Sequence, residues 1–179
     1  MVYVFLADGF EEMEALSPVD VLRRAGVEVK TVGVGGDIIT GTHGIAVKAD
    51  MTVNEIKLNN DLEMVVLPGG MPGAENLENS PEVQAAIDYC VEHDKYVAAI
   101  CAAPMILGHK RLLEDKNAIC FPGFEKDLLG AKISFNSVEM DGRFITGKSA
   151  GVALQFALKL VEAVVSEEKA KALENSLKC

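Results

Sequence analysis

Short apolar runs rich in β-branched residues alternate along the chain with segments whose apolar positions recur every three or four residues. VYVFLA (2–7) reads as a first strand. A helix follows over about 15–25, with Leu16, Val19, Val21 and Leu22 as its apolar face and Gly26 ending it. VEVKTVGV (27–34) reads as a second strand, and DIITGTHGIAVKAD (37–50) as a glycine-punctuated hairpin or meander at the sheet edge. EMVVLPGG (63–70) is a buried strand running into a Pro-Gly-Gly turn. SPEVQAAIDYCVEHD (80–94) then has Ser80 as N-cap, Pro81 at the first helical position and Glu82 next, a strong helix start.

The run from Tyr96 to Ile100 is a further buried strand, and Ala102 to Leu107 favours helix, with another turn over Arg111 to Glu114. NAICFPG (117–123) is a short strand with a turn behind it. ISFNSVEMDGRFITGKS (133–149) reads as two strands joined at Asp141-Gly142. Two amphipathic helices close the chain, one capped by Ser149 and one by Ser166. This alternation predicts an α/β sandwich, a mostly parallel central sheet with helices on both faces. With 179 residues, 49% of them hydrophobic, and no repeat, linker or low-complexity tract, the expectation is a single domain over 1–179.

Charge narrows the function classes. The net charge is −10 and no Lys/Arg cluster stands out, so nucleic acid is not an expected partner. No apolar stretch reaches the length of a membrane span, and MVYVFLADGFEEME lacks the basic segment of a signal peptide. A soluble cytoplasmic protein is expected. The four cysteines, Cys90, Cys101, Cys120 and Cys179, form no C-x-x-C pair and read as free thiols of a reducing compartment. His43, His93 and His109 are too scattered for a metal signature.

Three segments place unusual residues just past the C-terminal end of an expected parallel strand, where open α/β sheets build their sites. In LADGFEEMEA, Glu11 and Glu12 read as a solvated acidic helix start. Glu14, between Met13 and Ala15, has an apolar setting that would keep its carboxyl protonated and able to exchange a proton with a thiol. In LPGGMPGAENL, Gly69-Gly70 is either an ordinary tight turn or a loop offering N–H groups to an anion. In VAAICAAP, Cys101 sits at a strand-to-helix corner. It is either a buried structural thiol or a nucleophile whose pKa the corner should lower. His109, eight residues on, would stand about 12 Å along a continuous helix and could not touch it. Cys90, Cys120 and Cys179 read as structural or incidental.

EEMEALSPVDVLRRAGVEV, VVLPGGMPGAENL, VAAICAAP and FALKLVEAV together resemble the ThiJ/PfpI superfamily, in order and spacing across nearly the whole chain. The similarity is greatest to the branch holding the parkinsonism-associated protein deglycase and the YajL type. The resemblance implies a flavodoxin-like sandwich, a homodimer, no cofactor, Cys101 as nucleophile and Glu14 as its protonated partner. It also implies Gly70 and Ala102 as oxyanion-hole donors, with Arg24, Gly69 and Phe121 as candidate substrate or interface contacts. Three positions depart from family patterns. Ala102 stands where the protease-like branch has histidine, so peptide hydrolysis by a Cys-His pair is not expected. Phe121 stands where the deglycase has a histidine, and His43 where it has an arginine. The implied function is a cysteine-dependent enzyme acting on small 2-oxoaldehydes or glycated amines and releasing a hydroxyacid. The alternative is a non-enzymatic redox sensor or chaperone using the same thiol.

Overall fold

The computed structural model describes residues 1–178, so Cys179 lies outside the described residues. The chain begins β1 (Val2–Leu6), α1 (Glu12–Arg24), β2 (Val29–Gly33), β3 (Ile38–Thr40), β4 (Ala46–Lys48), β5 (Met51–Thr52) and β6 (Met64–Leu67). It continues α2 (Gly73–Glu78), α3 (Pro81–Glu92), β7 (Tyr96–Ile100), α4 (Pro104–His109), β8 (Asn117–Ala118), β9 (Lys132–Ile133), β10 (Val138–Asp141) and β11 (Phe144–Gly147). The last two elements are α5 (Ala153–Val164) and α6 (Glu167–Leu177).

Seven strands form the central sheet in the order β10-β11-β7-β6-β1-β2-β5, parallel throughout except for the β10–β11 hairpin. Its central strands β6 and β1 run apolar throughout because both faces are covered. Val2, Val4 and Leu6 point with Met64 and Val66 into a core shared with α1, α5 and α6. Tyr3, Phe5 and Ala7 point with Val65 and Leu67 into the opposite core under α3 and α4. This period-two division turns one continuous apolar run into two separate cores. The chain builds outward from β1 to β2 on one side and from β6 to β7 on the other. The order reverses at β1/β6, and a crevice at such a reversal is where open sheets bind ligands.

Several elements differ from the sequence reading. α1 begins at Glu12 rather than near 15, because Glu11 caps it with its own side chain. The 37–50 segment contributes a separate β3–β4 ribbon rather than the sheet edge, and the edge strand is the short β5. Ser149 makes no side-chain cap: a 3-10 turn, Ala150–Val152, precedes α5. Ile133 pairs with Ala118 in a small β8–β9 ribbon instead of entering the β10 strand. Ser80 and Ser166 cap α3 and α6 as expected. Among the described residues no helix is long and apolar enough to cross a membrane.

Candidate active site

Three loops meet at the β1/β6 reversal, following β1, β6 and β7. The β7 loop is bent at Cys101, whose φ of +65° lies in the left-handed region that a side chain normally avoids. The bend is held from both sides: the Cys101 N–H donates to Gly147 O at 2.9 Å, and the Cys101 carbonyl accepts from Phe121 N–H at 2.8 Å. With both main-chain groups engaged, the half-buried thiol projects from a fixed corner. A two-residue turn, not a helix, follows it, and α4 begins only at Pro104. Ala102 and Ala103 are buried, and their small side chains let the corner pack under the loops.

Glu14 enters from the first turn of α1 and is fully buried. Its Oε2 accepts the Gly69 N–H at 2.9 Å. Its Oε1 is buried with no hydrogen-bond partner among the described residues. The titratable neighbour of that carboxyl is the Cys101 thiol. Gly69 is wedged between the two: a Cβ there would lie 2.6 Å from Glu14 Oε2 and 2.7 Å from Cys101 Cβ. Gly70 has φ +84°, and a Cβ on it would lie 2.5 Å from both Glu11 N and Gly9 O. Only glycine fits at that position.

Burial raises the Glu14 carboxyl from 4.5 to about 7, Glu11's charge adds to this, and hydrogen bonds from Cys101 and Gly69 oppose it. The raised carboxyl agrees with the apolar setting expected from its sequence neighbours. The thiol moves opposite to expectation. Burial, then the charge and hydrogen bond of Glu14, push Cys101 up to about 12, while the N–H groups of Ala102 and Gly70 pull it down. The corner does supply N–H groups, but desolvation beside a carboxylate outweighs them. Of the pair Glu14 is the stronger acid, so when the carboxyl is ionised the proton rests on the Cys101 thiol. Cys90 and Cys120, both buried, are also pushed up to about 12 by desolvation.

The structure brings Cys101, Glu14, Gly69, Gly70 and Ala102 together. Phe121 joins them through its N–H bond to the Cys101 carbonyl, with its ring partly exposed. Arg24 is not drawn in: it stands ten residues after Glu14, about 15 Å along α1, and pairs with Asp20 at 2.7 Å. His109 ends α4, paired with Glu78 at 2.6 Å, away from the thiol.

Glu12 overturns the solvated reading. It is buried, its Oε1 accepts the His43 N–H at 2.8 Å, and its Oε2 meets His43 Nδ1 at 2.7 Å. Gly41 lets the β3–β4 ribbon press onto this carboxyl, since any Cβ there would strike it. The clamp joins residues 31 apart in sequence, and no local spacing announces it. Glu11, Glu12 and His43 offer atoms within 4.8 Å of one another. Both Glu12 oxygens are engaged by His43 and Glu11 Oε2 by the Glu14 N–H, so the three residues make a clamp within the chain rather than an open ligand set.

A model of the DJ-1/PfpI family matches residues 1–163. The Parkinson disease protein 7 homolog of Danio rerio is 33% identical over 93% of this chain and 90% of its own. The glutathione-independent glyoxalase DJR-1.2 of Caenorhabditis elegans is 29% identical over 91% of this chain and 87% of its own. The chain spans only 39% and 46% of the length of two longer relatives from Arabidopsis thaliana. Among solved structures, oxidized DJ-1 of Toxoplasma gondii superposes with a TM-score of 0.93 at 33% identity, over 98% of this chain and 96% of that one.

Proposed function

The chain belongs to the DJ-1/PfpI family, and from that premise we propose that it is a cysteine-dependent enzyme converting small 2-oxoaldehydes, free or as early adducts on amines, to 2-hydroxy acids. One observation carries the reading: a buried carboxyl with a pKa of about 7 and an unpartnered oxygen lies beside the Cys101 thiol, to which the N–H groups of Gly70 and Ala102 converge. The glyoxalase name of the Caenorhabditis elegans relative supports the substrate class.

The chemistry follows from these groups. Glu14 carboxylate takes the Cys101 proton as sulfur forms a bond to the aldehyde carbon. The carbonyl electrons move to oxygen, where the Gly70 and Ala102 N–H groups hold the charge until Glu14 returns the proton. Glu14, again a carboxylate, removes the hydrogen of that carbon and delivers it to the adjacent one, while the hydroxyl proton passes from the first carbon's oxygen to the second's, leaving a thioester of the 2-hydroxy acid. Water cleaves the S–C bond and regenerates the thiol. The sum is aldehyde plus water to hydroxy acid, with no outside oxidant or reductant. A base with pKa near the working pH suits both transfers, and no histidine is required.

The test is lactate release from methylglyoxal by the wild type and by Cys101→Ser, with the pH profile of each. Turnover that falls at least about a hundredfold in the variant is expected; equal rates would end the reading. A second reading, a thiol oxidised to sulfinate and held by the same N–H groups and protonated Glu14, draws support from the oxidized state of the Toxoplasma gondii structure. It predicts oxygen addition at Cys101, before Cys90 or Cys120, in a protein without turnover.

A further inference from the structure

Glu11 touches both halves of this machinery without entering the chemistry. Its Oε2 accepts the Glu14 N–H at 2.8 Å. Its own N–H donates to the Gly69 carbonyl at 3.0 Å. One residue thus ties the helical turn carrying Glu14 to the loop carrying an oxyanion donor. Serine, threonine, asparagine and aspartate are the preferred caps at such a position. What a glutamate adds to a serine cap is reach and a full negative charge, which the positive end of α1 accommodates.

The surroundings make that charge count. Glu14 faces the Cys101 thiol from the β7 loop, the Gly69 N–H from the β6 loop and the Ala150 backbone from the 3-10 turn before α5, with no cation among them. Glu11 faces Glu12 on its own element and His43 from the β3–β4 ribbon. His43 bonds Glu12 through Nδ1 and its backbone N–H, so its attraction to Glu11 acts through space rather than through a hydrogen bond.

We propose that Glu11 is a positioning residue that keeps Glu14 a strong enough proton acceptor to activate Cys101, by holding a negative charge one helical turn away while anchoring that turn to Gly69. This rests on the reading that Cys101 and Glu14 are the reacting pair. The larger share of Glu14's basicity comes from burial, and Glu11's charge is the part that a substitution can remove without opening the core.

The experiment is the rate of Cys101 alkylation by iodoacetamide from pH 5 to 9, followed by peptide mass mapping. The variants are Glu11→Gln and Glu11→Asp, with a parallel carbon-13 NMR titration of Glu14. Glu11→Gln keeps a capping oxygen and loses the charge. At a helical i,i+3 separation and high effective dielectric, its Glu14 midpoint should fall by about 0.5–1 pH unit, with a lower alkylation plateau. Glu11→Asp keeps cap and charge and should stay within about 0.2 pH unit of wild type. An unchanged midpoint in Glu11→Gln, or equal displacement in both variants, overturns the proposal. Should Glu11→Gln not fold, Glu11→Ser, an uncharged favoured cap, must show the same fall. Neither readout needs turnover, so a wild type inert toward methylglyoxal would sink the enzymatic reading while this measurement still decides the role of Glu11.

Discussion

Replacing Glu14 by glutamine should stabilise the protein while disabling it. The carboxyl titrates near 7 in the folded chain against 4.5 ordinarily, with burial as the main cause. Between those values the unfolded chain gives up a proton that the folded chain keeps. Stability from this group is therefore complete below pH 4.5 and is lost as pH rises to 7. At 1.36 kcal/mol per pH unit the loss amounts to about 3 kcal/mol by pH 8 and less than about 1 kcal/mol at pH 5. Glutamine is never charged, its oxygen can accept the Gly69 N–H, and its NH2 would replace the partnerless Oε1 with a donor. Urea denaturation of wild type and Glu14→Gln at pH 5 and pH 8 measures the difference. The advantage of the variant should grow by about 2–3 kcal/mol between the two. Cys101 alkylation at pH 8 should fall by about a hundredfold, because the base is gone. A stability difference that does not change with pH would refute the assignment of a buried, proton-retaining carboxyl.

Gly69→Ala should act in the opposite direction. Its Cβ would lie within 2.7 Å of both Glu14 Oε2 and Cys101 Cβ, so acid and thiol must separate. The expected cost is about 1–3 kcal/mol in chemical denaturation, with slower alkylation of Cys101; an unaffected alkylation rate would contradict the wedge geometry. His43 should titrate above its ordinary 6.5, because the Glu12 carboxylate bonds and attracts its protonated ring. Proton NMR of the imidazole in Glu12→Gln should return the midpoint toward 6.5 from above. If the two proteins titrate alike, the clamp does not exist in solution.

The sheet, the order of helices and strands, and the three site corners were legible because each rests on local pattern. Apolar runs such as VYVFLA and MVVL mark strands covered on both sides, and Ser80-Pro81-Glu82 marks a helix start. Cys101 and Gly69-Gly70 stood out by type at strand ends. What escaped the sequence depends on distant parts of the chain. Glu12 reads as a surface acid until the β3–β4 ribbon, whose pairing brings Gly41 and His43 over it, is in place. The start of α1 is hidden for a related reason. A glutamate at the cap position is a weak local signal, and its fit is settled by the Gly69 carbonyl across the crevice. The direction of the Cys101 pKa is not legible in the sequence, because a corner's N–H groups can be inferred from it whereas burial beside a particular carboxylate cannot.

These long-range constraints are facets of a single one. For Glu14 to be a base near neutral pH it must lose most of its water, which costs folding energy that an N–H partner partly offsets. Gly69 supplies that N–H, and only a residue without a side chain can do so from between acid and thiol. Gly69 must then be held in register with the Glu14 turn, and the Glu11 N–H to Gly69 O bond does this from the end of α1. The neighbouring N–H groups of Gly70 and Ala102 are thereby aimed at the sulfur rather than at solvent. The same packing that raises the carboxyl thus brings these N–H groups to the sulfur. A change that lets water back to Glu14 should cost reactivity in proportion, because both originate in the burial of one carboxyl against one glycine.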